Sequence, residues 1–292
     1  MNRQQACLAI RGLIVPILLT LAAHSAQAEN DLSGEWGTVY FEDYPERLPG
    51  PEAGDYLGLP INDAARLRGE SWSASLITVP EHQCTPHPAP YVLRGPSNMT
   101  IYKDLDIPTQ RVTAYHFSIE VGPYRVVYMD GRPHPAENTR HTWEGFSTGK
   151  WERNVLVVTT THLKAGYIRR NGIPHSDQTT LLEYFTRYGN YLTYVSIVND
   201  PVYLTEPLVR STNWILSPGN RLRPAPCRIA IEIVRPAGEI PHYYPGENDI
   251  LADFGNKFGL PPSATRGGAV TMYPEFALQL EGLSPGAGAG KK

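Results

Sequence analysis

The sequence is poor in cysteine, in basic charge and in long apolar runs. It has 3 Cys among 292 residues and no Cys-x-x-Cys pair, which removes the usual signature of a dithiol redox site. Its net charge of -3 supplies no polycationic face, which argues against DNA or RNA as a partner. After residue 28, no apolar stretch approaches the roughly 20 residues that a membrane-spanning helix needs.

Several motifs of catalysis and cofactor binding are also missing. The sequence contains no Gly-x-Gly-x-x-Gly nucleotide loop and no Gly-x-Ser-x-Gly nucleophile elbow. It has no His-Glu-x-x-His or His-x-x-x-His pair of the kind that binds zinc. We therefore predict no cofactor, while a metal held by residues from separate strands stays open.

The N-terminal residues have the pattern of an export signal. Arg3 and Arg11 precede an apolar run over 13–23, which is followed by the small-x-small sequence Ala26-Gln27-Ala28. The run is too short to span a bilayer, so we predict a signal peptide over 1–28 that is cleaved between Ala28 and Glu29. The mature chain is then periplasmic or secreted. Retention as an anchor is the alternative.

Cleavage at this point removes Cys7 and leaves two cysteines. Thiols in an oxidising compartment usually pair, so we predict a structural disulfide between Cys84 and Cys227. Both cysteines lie in proline-rich loops. A metal or redox role for them is the alternative.

The content of 26 Gly, 27 Pro and 17 Tyr against 7 Phe favours strands joined by many turns. Residues 112–121 alternate between the two faces of a strand, and Arg153-Asn154 and Gly189-Asn190 each separate two strand-like runs as hairpin turns would. We predict that Asn154 takes the positive φ angle of the first turn. The predicted strands are 31–41, 112–121, 124–129, 150–152, 155–161, 179–188, 191–198, 207–216 and 227–234.

These strands predict a mainly all-β fold, an antiparallel barrel of about eight strands over residues 29–234. A short helix is predicted to begin at Asn62 or Asp63, and the proline spacing over 80–96 predicts an irregular loop. Residues 235–283 form a predicted C-terminal strap on the barrel, with helices at 249–258 and 274–283. The Gly/Ala-rich tail over 284–292 is predicted to be disordered.

Two local patterns resemble known families. Gly34-Glu35-Trp36 resembles the Gly-x-Trp motif of lipocalins and other calycins. That resemblance implies a Trp that closes one end of the barrel beneath an Arg of the last strand, here Arg228 or Arg235. An ordinary core role for Trp36 is the alternative.

The second resemblance covers most of the mature chain. The sequences DGRPHP at 130–135, WEGFSTGKWE at 143–152 and GIPHSD at 172–177 resemble a group of secreted proteins of Gram-negative soil bacteria. The group has no assigned reaction, so the resemblance implies export but no chemistry.

The candidate catalytic residues are histidines with nearby carboxylates, because only His titrates near neutral pH without a perturbed pKa. A strand through His175-Ser176-Asp177 would place Asp177 beside His175 on one face. We predict His175 as a base oriented by Asp177, and His134 or His141 as the acid. Arg132, beside Asp130, is predicted to stabilise an anion.

Predicted substrate-binding residues are Trp143, His162, Tyr184 and Glu183. The alternative for each candidate is structural: turn formation for Asp130 and Arg132, and packing for the histidines and Trp143.

The leading functional hypothesis is a lipocalin-like barrel enzyme that uses His/Asp acid-base chemistry as a lyase, hydratase, isomerase or hydrolase. Its substrate would be a small aromatic, terpenoid or glycosidic compound. The alternative is a periplasmic carrier that holds an apolar small molecule without changing it. The sequence gives no indication of oligomeric state.

Overall fold

The computed structural model describes residues 31–41, 47, 50–94, 98–119, 124–220, 222, 227–230 and 233–283. The predicted signal peptide with its cleavage site and the predicted disordered tail lie outside these residues. The described strands, in chain order, are β1 (Gly34–Val39), β2 (Met99–Leu105), β3 (Val112–Ile119), β4 (Arg125–Tyr128), β5 (Phe146–Glu152), β6 (Val155–Thr161), β7 (Gly166–Tyr167), β8 (Pro174–His175), β9 (Thr180–Tyr188), β10 (Tyr191–Asn199) and β11 (Leu208–Leu216).

Within the described residues, nine of these strands close into a β-barrel in the order β1-β11-β10-β9-β6-β5-β4-β3-β2. Neighbouring strands are antiparallel except for β4 and β5, which are parallel. The ring closes because β1 pairs with both β11 and β2. The two remaining strands, β7 and β8, pair separately with each other.

The predicted all-β barrel is confirmed, with nine strands in place of about eight. The prediction that all its strands are antiparallel was wrong, because β4 and β5 are parallel. The sequence interpretation missed β2, and it was wrong about a strand over 227–234, where the described residues are irregular. It also chose the wrong residue for the positive φ angle of the β5–β6 turn, since Arg153 has φ 60°. The β9–β10 turn is as predicted, with Gly189 at φ 57°.

Side chains of alternating residues fill the barrel, as the period of two in a strand requires. The largest of these buried side chains include Trp36, Trp214, Tyr194 and Phe185. The Trp36 indole donates to the Leu32 carbonyl at 3.0 Å, and the Arg187 guanidinium lies 5.3 Å from the centre of its ring. The arginine at this tryptophan is therefore Arg187 of β9.

The expectation that Arg228 or Arg235 would cover Trp36 was wrong. Arg235 instead donates to Glu239 at 2.8 Å, and Arg228 is exposed in the irregular segment after β11. The barrel is closed by the pairing of β1 with β11, so the chain after β11 leaves the wall before it reaches either arginine.

The described helices are short: α1 (Asp63–Ser71), α2 (Ala89–Val92), α3 (Asp253–Phe258), α4 (Pro262–Thr265) and α5 (Pro274–Leu283), with 3₁₀ segments at Ala74–Thr78, Pro80–His82, Asp249–Ala252 and Gly268–Met272. The α1 helix begins as predicted, because Asn62 accepts a hydrogen bond from the Ala65 amide at 3.0 Å. The loop predicted over 80–96 is partly helical, since proline is tolerated in the first helical turn. None of the described helices has the length and apolar character to cross a bilayer.

The C-terminal extension contacts the segment around α1. The Tyr56 amide donates to the Thr265 carbonyl at 2.8 Å, and the Tyr243 amide donates to the Ser71 carbonyl at 2.9 Å. Helical structure over 249–258 and 274–283 is confirmed. Leu251 is buried, while Phe258 is 57% exposed.

The predicted cysteine pair is brought together. Cys84 and Cys227 have Cα atoms 5.5 Å apart, which is a usual disulfide separation, and their sulfur atoms lie at bonding distance. The side chain of Gln83 reinforces this junction, since its amide nitrogen donates to the Ala230 carbonyl at 2.6 Å and its oxygen accepts from the Ala230 amide at 2.7 Å. The segment after β11 is thus held to the loop before α2.

Candidate functional site

The segment between β6 and β9 folds over one end of the barrel. Its β7–β8 pair is followed by a turn, and Ile168 and Ile173 pack with barrel residues Leu181, Val198 and Leu208 in one buried cluster. The Arg210 guanidinium of β11 donates to the Ile168 carbonyl at 2.8 Å, which ties this cap to the barrel wall. We call residues 162–179 the cap.

A tyrosine of the cap meets a histidine of the loop before α2. Tyr167 and His87 share a short hydrogen bond between the phenol oxygen and imidazole Nδ1. The ring of Tyr91 lies 5.1 Å from the His87 ring and 5.3 Å from the Tyr167 ring. His87 and Tyr167 are both only partly buried.

The surroundings keep this pair neutral at pH 7. Burial, assisted by the charge of Arg170, lowers the pKa of His87 to about 4. Burial and the neighbouring Tyr91 raise the pKa of the Tyr167 phenol, and Arg170 partly opposes this. Tyr167 therefore donates its hydrogen to Nδ1 of a neutral His87.

His175 of β8 pairs with Gly166, the residue before Tyr167 in β7. Its side chain is buried, and Nδ1 lies 3.0 Å from the Ser176 carbonyl, to which it donates. Burial lowers its pKa, while the Ser176 carbonyl and Asp200 act in the opposite direction. In the neutral ring Nε2 is then the acceptor, and within the described structure this atom has no hydrogen-bond partner. It faces Gly166, where an added Cβ would lie 2.9 Å from it.

Asp200, and not Asp177, is the carboxylate that acts on His175. Asp200 is buried and accepts hydrogen bonds from the Ser176 amide at 2.5 Å, the Ser176 hydroxyl at 2.9 Å and the Thr179 hydroxyl at 3.0 Å. Several of these bonds contribute to the lowered pKa of Asp200, although burial opposes them. The β8 strand ends at His175, so the alternation that would align Asp177 with it does not apply, and Asp177 is exposed.

The other three predicted histidines meet on the outside of the barrel. His134 and His162 both bind the Thr161 hydroxyl through Nδ1 at 2.7 Å, and the His141 ring lies 5.3 Å from the His162 ring. His134 also binds Thr148 through Nε2 at 2.8 Å. Burial and the neighbouring His162 lower the pKa of His134.

This outer cluster is separate from His175. Thr161 follows the inward-facing Thr160 on β6 and so faces away from the barrel interior. Among the described residues, neither a hydrogen bond nor a ring contact joins His175 to His134 or His141. The structure therefore does not assemble the predicted base and acid in one place.

Asp130 and Arg132 satisfy each other in an exposed turn. The guanidinium Nε donates to the Asp130 carboxylate at 2.9 Å, and the same guanidinium lies 3.8 Å from the Tyr128 ring centre. The hydrogen bonds from Arg132 lower the pKa of Asp130 to about 2, with burial opposing them. This arrangement corresponds to the structural alternative of the sequence analysis.

The four predicted substrate-binding residues are dispersed. Glu183 is buried inside the barrel, while its neighbour Tyr184 faces the other side of the sheet. His162 belongs to the outer cluster. Trp143 lies beside the loop of His87, since its carbonyl accepts from the Ala89 amide at 3.1 Å, and Lys164 sits 5.3 Å from its ring centre.

No group of three or more His, Cys, Asp and Glu side chains in the described part of the chain is arranged to hold a metal ion.

The candidate site at the cap, which we call the cap site, consists of His87, Tyr91, Tyr167 and His175, with Arg170 nearby. Sequence reasoning found only His175 of these. His87 had one available signal, its place between Pro86 and Pro88 and three residues from Cys84, which predicts a fixed loop rather than a reactive group.

The resemblance to secreted proteins of soil bacteria stays a prediction, because the fold and the site do not test it. Comparison of the chain with protein-family models, with curated proteins and with solved structures finds no match in any of the three.

Proposed function

We propose that the protein is an exported barrel enzyme that performs acid-base chemistry on a small organic molecule at the cap site. The observation that carries this proposal is the hydrogen bond between Tyr167 and a neutral His87. The strand paired with that of Tyr167 holds a buried His175 whose Nε2 is unpaired. Titratable groups with perturbed pKa values that meet at an accessible surface are the usual components of such a site.

Tyr167, His87 and Arg170 have distinct roles in the proposed reaction. Tyr167 receives a proton from a hydroxyl or an activated carbon of the substrate while its own proton passes to Nδ1 of His87. The positive charge of Arg170, which already influences both residues, stabilises the oxyanion that forms. Tyr91 and Trp143 provide aromatic surface for a ring or another apolar body.

This proposal keeps the reaction classes expected from the sequence, namely lyase, hydratase, isomerase or hydrolase, and moves them to a different set of residues. The substrate class also stays as a proposal: a small aromatic, terpenoid or glycosidic compound. The carrier alternative receives less support, because Trp36, Trp214 and Phe185 occupy space inside the barrel that a ligand would need.

The test is a turnover screen of the mature protein over phenols, glycosides and terpenoids. Tyr167→Phe and His87→Gln should each lower kcat/KM for any substrate found by about 100-fold or more, the usual contribution of one proton-transfer group. Tyr188→Phe, at a 62% exposed tyrosine of β9, is the matched control and should retain the wild-type rate. Wild-type rates in both cap variants would exclude the pair from the chemistry.

A further inference from the structure

A second group of titratable side chains lies on the outer wall of the barrel, away from the cap. Tyr102 and Asp104 of β2, His116 of β3, and Tyr124, which immediately precedes β4, meet there. Tyr102 and His116 are directly opposed on their strands, while their neighbours Ile101 and Phe117 are buried in the core. The tyrosine side chains are accessible, at 42% exposure for Tyr102 and 49% for Tyr124.

Hydrogen bonds and ring stacking link three potential ligand side chains in this group. The Tyr124 phenol binds His116 Nδ1 at 2.5 Å, and the same phenol oxygen forms a short hydrogen bond with that of Tyr102. The Tyr102 ring stacks on the imidazole of His116, with ring centres 4.7 Å apart and an angle of 6° between the planes. The two phenol oxygens and the imidazole nitrogen thus form one hydrogen-bonded chain near the surface, with the Tyr124 oxygen in the middle.

Asp104 fixes the orientation of the imidazole. Its Oδ2 lies 2.6 Å from His116 Nε2, and because a carboxylate can only accept, Nε2 carries the hydrogen. In the neutral ring this leaves the lone pair on Nδ1, toward the two phenols. A carboxylate on the distal nitrogen is the usual support of a metal-binding histidine, since it sets both the tautomer and the ring direction.

We propose that Tyr102, Tyr124 and His116 form a binding site for one ferric ion, with Asp104 as the residue that positions His116. The ligands are two phenolate oxygens and Nδ1 of the imidazole, and the remaining coordination positions stay open to water or to a small chelator. Both phenols release their protons to solvent on binding. Two phenolates and the Asp104 carboxylate then balance the three positive charges of Fe(III).

The ligand set favours this ion over softer metals. Phenolate oxygen is a hard anionic ligand, imidazole accepts iron, and the group contains no sulfur. With bonds of about 2.0 Å in an octahedral arrangement, neighbouring ligand atoms would lie roughly 2.8 Å apart. The two hydrogen-bonded contacts of the Tyr124 oxygen are shorter than this, so the exposed tyrosines must move apart to admit the ion.

Free phenols hold their protons at neutral pH, because the ordinary pKa of tyrosine is about 10. Because metal binding must displace phenol protons, the affinity for iron should increase with pH.

The test is titration of the mature protein with Fe(III) supplied as its citrate complex, followed by visible absorption and by the iron content after gel filtration. We expect one ion per chain and a phenolate-to-iron charge-transfer band, with apparent affinity that rises with pH. Tyr102→Phe and Tyr124→Phe should each weaken the band and lower the affinity at least 10-fold. Asp104→Asn should lower the affinity, by about 10- to 100-fold, while the band of the saturated protein persists, because Asp104 acts through His116.

Tyr191→Phe, at a 57% exposed tyrosine of β10, controls for adventitious binding by surface phenols and should leave the titration unchanged. Thermal unfolding of each variant without iron identifies any loss of fold, which we do not expect at exposed positions. No band in the wild type, or an equal band in Tyr102→Phe and Tyr124→Phe, would overturn the proposal. Binding of Cu(II) at these residues without binding of Fe(III) would overturn the assignment of the ion.

Discussion

Arg125 and Glu183 form a bidentate ion pair inside the barrel, with both side chains almost fully removed from solvent. Ser147 and Thr160 accept further hydrogen bonds from the guanidinium, and the Tyr194 phenol donates to Glu183 at 2.9 Å. Burial lowers the pKa of Arg125, but Glu183 outweighs this and raises it above the ordinary value. Glu183 therefore supports the barrel from within rather than lining an open substrate pocket.

We predict that Glu183→Gln destabilises the fold by about 3–5 kcal/mol, because it leaves a buried guanidinium without a counter-charge. Urea unfolding at pH 7 gives the free energy. Adding Arg125→Met should recover part of the loss by removing the unpaired charge. Asp130→Asn, at the exposed pair with Arg132, is the matched control and should change stability little. A small effect of Glu183→Gln would show that the pair is not critical.

The low pKa of His87 predicts a pH-dependent stability. The unfolded chain protonates His87 near pH 6.5, while the folded chain resists protonation until about pH 4. The contribution of neutral His87 to the free energy of unfolding is therefore complete above pH 6.5, and it is lost as the pH falls toward 4. Wild type should lose up to about 3 kcal/mol more than His87→Gln across this window, at about 1.4 kcal/mol for each unit of pKa. Urea unfolding at pH 7, 5.5 and 4.5 measures the free energy of unfolding of both proteins. If it changes with pH equally in wild type and in His87→Gln, the burial of a neutral His87 is disproved.

Asp200 and Asp177 provide a matched comparison around His175. Asp200→Asn replaces an acceptor of several hydrogen bonds with a group that must also donate, so we expect a loss of about 2–3 kcal/mol and altered imidazole NMR signals of His175. Asp177→Asn, at an exposed position, should leave both the stability and the His175 NMR signals unchanged. The reverse result would restore the His175–Asp177 pair expected from the sequence.

The Cys84–Cys227 junction predicts a link between redox state and the cap site. Its separation of 143 residues gives a disulfide contribution of up to about 5 kcal/mol through loss of entropy in the unfolded chain. Reduction should lower the unfolding temperature and broaden the NMR signals of His87, three residues from Cys84. The Cys84→Ser/Cys227→Ser variant should be insensitive to reductant. An unchanged His87 signal after complete reduction would show that its loop does not depend on the bridge.

The sequence was most informative where a strand has one buried face. The alternation over β3 was recognised for this reason. The turn between β9 and β10 was recognised because Gly189-Asn190 separates two strand-like runs. Residues 227–234 carry a similar alternation of isoleucines, but β1 already pairs with β11, so the closed barrel offers no edge for another strand. A hydrophobic period identifies a two-faced segment and does not identify its partner.

The site was harder to predict than the fold because its members come from distant segments. His87 and Tyr167 are 80 residues apart, and neither belongs to a motif. The predicted histidines include three that lie together on the outer wall: His134 and His162 at Thr161, and His141 against His162. The short distance between these histidines in the sequence thus predicted a cluster, but it did not predict that the cluster lies on the outer side of the barrel wall.

The single parallel pair, β4 with β5, has a topological cause. A ring in which every strand reversed the direction of its neighbour would need an even number of strands, so nine strands can close only with an odd number of parallel pairs. After β4 the chain must return along the outside before β5 begins. Residues 130–142 form this return on the outside of the wall, and they include His134 and His141. The odd number of strands is therefore the reason why these two histidines lie outside the barrel.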